Sequence, residues 1–135
     1  MAELVVDALV ENLNKVLAFV EEHLESYGCS IKAAMRIQIA VEEMYVNIAH
    51  YAYEGTLGTA TILMEHLPEQ GAVKIVLKDS GKPYNPLEKE DPDVTLSTEE
   101  RPIGGLGIYM VKKSMDKVEY EFKDGQNCLT ITTSI

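Results

Sequence analysis

The sequence is short of positive charge, of cysteine and of long apolar runs, and each shortage removes a class of function. Against 22 Asp and Glu stand 12 Lys and Arg, giving a formal net charge of −10. Nucleic-acid binding relies on clustered cations to neutralise phosphates, so no nucleic-acid partner is expected. ATP is not excluded, because its charge is handled locally by a metal and by backbone amides. An acidic surface also suits a basic protein partner, although a plainly acidic soluble protein with no such partner is the favoured reading. No apolar stretch approaches the roughly 18 residues that would span a bilayer, so no membrane association is expected. The N-terminal Met1-Ala-Glu-Leu has no basic region leading into an apolar run, so a secretory signal is not expected. The two cysteines, Cys29 and Cys128, are far apart and lack metal-ligand spacing. Two isolated thiols in such a chain are expected to stay reduced, and the cytoplasm is the expected compartment.

What is present is enough for one core. The chain has 135 residues, 46% of them hydrophobic, which fits a single domain covering 1–135. Residues 3–8 are apolar and partly β-branched, consistent with an edge strand. Leu13, Leu17, Val20, Leu24 and Tyr27 then repeat at alternating spacings of four and three, one face of a helix. Gly28 can end that helix and Ser30 can cap the next. In this second helix Ile37, Val41, Met44 and Ile48 make an apolar stripe, while Glu43, Asn47 and His50 fall on another. Residues 59–67 and 72–77 read as strands joined by Pro68-Glu-Gln-Gly71. From 78 to 104 the pattern changes: Pro83, Pro86, Pro92 and Pro102 fall among many acidic residues. A stretch this long without periodicity reads as a lid or binding loop. A helix resumes over 105–115, and 118–122 and 129–133 form a hairpin about Asp124-Gly125. The expected fold is α+β, a two-layer α/β sandwich. Its sheet is mixed but mainly antiparallel, with three helices on one face.

Three local patterns carry chemistry. Glu43 and Asn47 are four residues apart, so on a helix they can address one ligand. The carboxamide oxygen of Asn47 is a hard ligand suited to Mg²⁺, and Glu43 can orient a hydroxyl or water for attack at a γ-phosphate. An isolated Glu-x-x-x-Asn is also what a solvated helix face looks like. Glu42 lies about 100° round the helix and is the lesser candidate. His50, three residues on, can act as a donor near phosphates or be a plain surface histidine. Asp79-Ser-Gly81 follows a strand. A carboxylate there can accept from the exocyclic amine of adenine, and Gly81 lets the backbone approach a flat ring; an ordinary turn has the same composition. Gly104-Gly-Leu-Gly107 opens a helix, where free amides and the helix dipole favour an anion; a flexible hinge is the alternative. No Gly-Lys-Ser/Thr follows, so this is not a Walker loop, and there is no preceding parallel βαβ unit as in a Rossmann fold. Arg101 can reach a phosphate or simply be exposed.

These elements in this order resemble the Bergerat-fold ATPases, which include histidine kinases, gyrase-type topoisomerases and heat-shock ATPases. The resemblance is closer to one branch, the bacterial anti-sigma-factor serine/threonine kinases, and it covers nearly the whole chain. It rests on Ala40-Val-Glu-Glu-Met-Tyr-Val-Asn-Ile-Ala-His-Tyr-Ala-Tyr53, on Asp79-Ser-Gly-Lys-Pro-Tyr-Asn-Pro86 and on Gly104-Gly-Leu-Gly-Ile-Tyr-Met-Val111. The resemblance implies Mg-ATP as ligand, with Asn47 holding Mg²⁺, Glu43 as base and His50 where the branch often has a basic residue. It implies that Asp79 bonds the adenine amine and that Gly81 lines the ring. Gly105, Leu106 and Gly107 would then meet the phosphates, with residues 84–103 as the lid. It further implies transfer of phosphate to a serine or threonine on a small antagonist protein, and capture of an RNA polymerase sigma factor by a homodimer. A nucleotide-gated regulator of the same fold with little turnover, and an interaction protein without a nucleotide site, are the competing readings.

Overall fold

The protein is described from a computed structural model that covers residues 1–88 and 106–135, Leu106 by its backbone alone. The chain runs through β1 (Ala2–Asp7), α1 (Leu13–Ser26), α2 (Ile31–Tyr51), β2 (Thr59–Leu67) and β3 (Ala72–Asp79), then α3 (Leu106–Ser114), β4 (Lys117–Lys123) and β5 (Gln126–Ser134). The strands form one five-stranded sheet in the order β1-β2-β3-β5-β4. Among the described residues every neighbouring pair is antiparallel, so the sheet they form is not mixed. The reason lies in the last hairpin. The stretch from β3 through α3 is a crossover, and β4 does run parallel to β3. It lands one slot out, however, and β5 folds back between them.

Register places one apolar face toward the helices. Val6, Ala60, Ile62, Met64, Val73, Ile75, Leu77, Leu129 and Ile131 share a core with residues of all three helices, and alternate positions point away. Helix α2 contributes Ile37, Ala40, Val41, Met44 and Tyr45. Ser30 caps it, its hydroxyl accepting from the Ala33 amide at 3.1 Å. In α1 the fully buried positions are Val16, Val20 and Leu24, while Leu13, Leu17 and Tyr27 are only partly covered. The buried stripe is thus centred on Val16 rather than on the Leu13–Leu17 line expected from spacing. Helix α2 covers one side of α1, and the amide of Gln38 donates to the Leu17 carbonyl at 2.9 Å, holding Leu17 at the margin.

Tyr45 is the largest fully buried side chain. Its hydroxyl lies 2.7 Å from the Leu9 carbonyl and 3.1 Å from that of Asp7, pinning the exit of the edge strand to the middle of α2. Burial raises its phenol pKa, so the hydroxyl remains a donor. Tyr45→Phe leaves both carbonyls to find other partners. It is expected to lower the unfolding free energy by about 1–2 kcal/mol, read as a lower urea midpoint at unchanged slope.

Candidate nucleotide site

The end of the sheet near Asp79 is where the apolar face turns polar. Asp79 and Asn127 are Cα partners on β3 and β5, and two rungs along Leu77 pairs with Leu129. Both polar residues therefore share the inward parity of the core, and both are buried. Across from them runs the C-terminal half of α2. Between the two lies a cleft lined by Met44, Asn47, Ile48, Tyr51 and Ala52 from the helix and by Leu77, Asp79, Tyr120, Asn127 and Leu129 from the sheet, with Lys82, Tyr84 and Pro86 at the rim. The cleft is partly open to solvent. The walls are mostly apolar, and few polar groups converge on them, which is the pattern for holding a flat heterocycle with directional recognition at one edge.

Backbone ties hold the cleft in shape. The Lys82 amide donates to the Ala52 carbonyl at 3.1 Å, joining the turn after β3 to the end of α2. Tyr53 continues this tie: its hydroxyl donates to the Thr59 carbonyl at 2.6 Å and accepts from the Ser80 amide at 2.8 Å. Gly81 belongs to the same joint. A Cβ there would lie 2.6 Å from the Ala52 carbonyl carbon and 2.7 Å from the Ala52 methyl. Its missing side chain is thus used against helix α2, and Gly81 is not among the residues on the cleft wall. Lys82 also pairs with Glu54, both side chains exposed.

The polar edge is a closed network. Asp79 Oδ1 accepts from the Gly81 amide at 3.0 Å and from Asn127 Nδ2 at 2.9 Å. Asn127 Nδ2 also donates to the Lys82 carbonyl at 2.9 Å, and its Oδ1 accepts from the Tyr84 amide at 3.0 Å and from the Tyr120 hydroxyl. Burial is the main cause raising the Tyr120 phenol pKa, with the Asp79 charge adding to it, so Tyr120 stays a donor.

The structure brings Asn47 and Asp79 onto one cleft. Asn47 forms no hydrogen bond among the described residues, so its carboxamide is available to a ligand. Glu43 sits one helical turn away, about 6 Å along the axis. It lies in the seam between α2 and α3, where a Cβ on Gly107 would fall 2.6 Å from the Glu43 carboxyl carbon. The first turn of α3 is therefore in contact with the Glu43 carboxylate. His50 is exposed and stands edge-on to Tyr51, with ring centroids 5.9 Å apart; it is not on the cleft wall. Leu106 begins α3. Arg101, Gly104, Gly105 and residues 89–103 of the expected lid lie outside the described residues.

Asn127 was not among the residues that sequence reasoning singled out. Starting the last strand at 129 left it in the turn, where asparagine is common. Strand β5 begins at Gln126. The signal was the alternation Asn127, Leu129, Ile131, Thr133, which continues the inward parity by one more step.

The model of the histidine kinase-like ATPase domain family matches residues 6–133. The chain belongs to this family. Relatives that match the chain include proteins named as serine or serine/threonine kinases. The serine-protein kinase RsbW of Bacillus pumilus (strain SAFR-032) is 29% identical over 94 residues, 66% of this chain and 58% of that protein. RsbW of Listeria monocytogenes serovar 1/2a (strain ATCC BAA-679 / EGD-e) is 26% identical over 102 residues, 73% of this chain and 64% of its own length. The serine/threonine-protein kinase BtrW of Bordetella bronchiseptica (strain ATCC BAA-588 / NCTC 13252 / RB50) is 26% identical over 105 residues, 77% of this chain and 72% of its own. The chain thus spans less than two thirds of the RsbW relatives it matches. A crystal structure of the RsbU and RsbW domains of Rv1364c from Mycobacterium tuberculosis shares the fold, with a TM-score of 0.63 over 99% of this chain and 32% of that one, at 16% identity. The resemblance to the serine/threonine kinase branch therefore stands. Among the described residues no helix of this histidine kinase-like ATPase domain is long and apolar enough to cross a membrane.

Proposed function

We propose that the chain works as one ATPase domain, binds Mg-ATP in this cleft and transfers the γ-phosphate to a serine or threonine of a small antagonist protein. In the same reading a cytoplasmic homodimer of the chain holds an RNA polymerase sigma factor. The observation that carries the catalytic part is the convergence of Asn47 and Asp79 on one cleft, with Glu43 against the first turn of α3. The names of the RsbW and BtrW relatives support the kinase chemistry.

Each residue then has a task. Asp79 accepts from the exocyclic amine of adenine, and Leu77, Leu129, Met44 and Ile48 cover the ring. The donor set fits a magnesium ion: Asn47 offers a neutral hard oxygen, and a phosphate-bound Mg²⁺ takes few protein ligands. When bound, the ion neutralises charge on the phosphates. The start of α3 directs its dipole and free amides toward the phosphate end. Glu43 accepts the proton of the attacking hydroxyl as the new O–P bond forms and the bond from the γ-phosphorus to ADP breaks.

Calorimetric titration tests the ligand. Saturable binding of ATP that tightens with Mg²⁺ and weakens in Asn47→Ala is expected. A flat response to Mg-ATP and Mg-ADP up to millimolar levels would sink the reading. Incubation with γ-labelled ATP and the small proteins encoded beside this chain tests the reaction, the expected product being phosphoserine or phosphothreonine. Tight binding without transfer, with Glu43→Ala still capturing its partner, would instead favour a nucleotide-gated regulator.

A further inference from the structure

We infer that Asn127 is the positioning residue for base recognition: it fixes Asp79 as an acceptor and clamps the wall of the cleft, without itself reading the base. This rests on the ATP reading of the same cleft.

A carboxamide has two N–H donors and two acceptor lone pairs. All four are taken in Asn127. Nδ2 donates to Asp79 Oδ1 and to the Lys82 carbonyl, and Oδ1 accepts from the Tyr84 amide and the Tyr120 hydroxyl. Nothing remains for a ligand, so Asn127 acts through other groups. The orientation of its amide is also determined, because a flip would set NH₂ against the Tyr84 N–H and oxygen against the Asp79 carboxylate and the Lys82 carbonyl.

The consequence falls on Asp79. Its Oδ1 receives two N–H groups, from Gly81 and Asn127. These fix the rotation of the carboxylate. Oδ2 has no hydrogen bond among the described residues and is not among their sealed, unpartnered atoms. It therefore remains an acceptor on the wall of the cleft. The second consequence falls on the rim. The bonds to Lys82 and Tyr84 hold residues 82–84 beside β5 much as a strand partner would, and Tyr84 and Pro86 then form the outer wall. One side chain thus sets both the directional edge and the shape of the site.

The discriminating readout is the ratio of affinities for ATP and purine riboside triphosphate, which lacks only the 6-amino group. Wild type is expected to prefer ATP by at least about tenfold, because the analogue would cover Asp79 Oδ2 without offering it a donor. Asn127→Asp keeps the size and the acceptors but places an oxygen where Nδ2 faces Asp79. Asn127→Ser is neutral and shorter, and carries the test if the paired carboxylates prevent folding. In either variant the ratio is expected to fall toward one, with ATP binding weakened more than analogue binding. Equal weakening of both nucleotides means Asn127 only supports the fold and overturns the inference, as does an unchanged ratio in a folded variant. A wild-type chain that binds neither nucleotide overturns the ATP site as well. One that binds ATP while the variants keep its preference overturns the role of Asn127 alone.

Discussion

Glu43→Gln is expected to stop phosphate transfer while leaving nucleotide binding and the fold in place. The amide has nearly the same shape as the carboxylate but cannot take the proton of an attacking hydroxyl. A positioned general base contributes about 10²–10⁴-fold to such a step, and transfer should fall by that much. Three features of the structure separate this loss from misfolding. Glu43 is exposed, makes no hydrogen bond among the described residues, and lies outside the core of α2, which is formed by Ile37, Val41, Met44 and Tyr45. Stability should therefore change by no more than about 0.5 kcal/mol. Glu43 is also off the wall of the cleft, so the affinity for Mg-ATP should hold. Single-turnover transfer from labelled ATP, run beside calorimetry on the same variant, makes the comparison. Transfer at the wild-type rate would remove Glu43 from the chemistry and return Glu42 to consideration.

Much of this site was legible in the sequence because its parts are local. Glu43 and Asn47 are placed by helical spacing alone, and Asp79 and Gly107 by their positions at the end of a strand and the start of a helix. The sequence could not state which of these parts touch. That depends on the crossing of α2 over the sheet and on the seam between α2 and α3, both set by packing among residues far apart in the chain. Gly81 shows the difference. Its identity reads equally as a turn glycine or a ring-facing glycine, and the joint with Ala52 appears only once helix α2 lies across the turn. Asn127 was hidden for another reason. The end of a strand is the least determined part of a periodic pattern, and three misplaced residues were enough to lose a fully bonded carboxamide. In α1, spacing found the helix but not which of two neighbouring stripes faces inward, because Leu13 and Leu17 are as apolar as Val16. The sign of the surface told least: a net charge of −10 coexists with a proposed polyanion ligand, because the site would meet phosphates with backbone amides and one carboxamide rather than with net charge.

The contact between Glu43 and Gly107 gives the second large expectation, in which stability and activity move in opposite directions. Gly107 is the second residue of α3, and a helical glycine replaced by alanine ordinarily gains about 0.5–1 kcal/mol. The atoms that the new methyl would meet are the far end of the Glu43 side chain, with its Cγ already 3.3 Å away. An exposed glutamate can swing aside at little cost to the fold, so Gly107→Ala should melt at or slightly above the wild-type temperature. The displaced carboxylate, however, no longer stands where the proton must go. A misplacement of about 1 Å can cost 10²-fold in rate, and transfer should fall at least that far. The double variant decides the cause. If Gly107→Ala acts by moving Glu43, then adding it to Glu43→Gln should cost nothing further, since residues acting as one unit are not additive. A full extra loss in the double variant would mean that the methyl obstructs the phosphate end of the site directly, and that the close approach of Glu43 to α3 serves packing rather than the reaction.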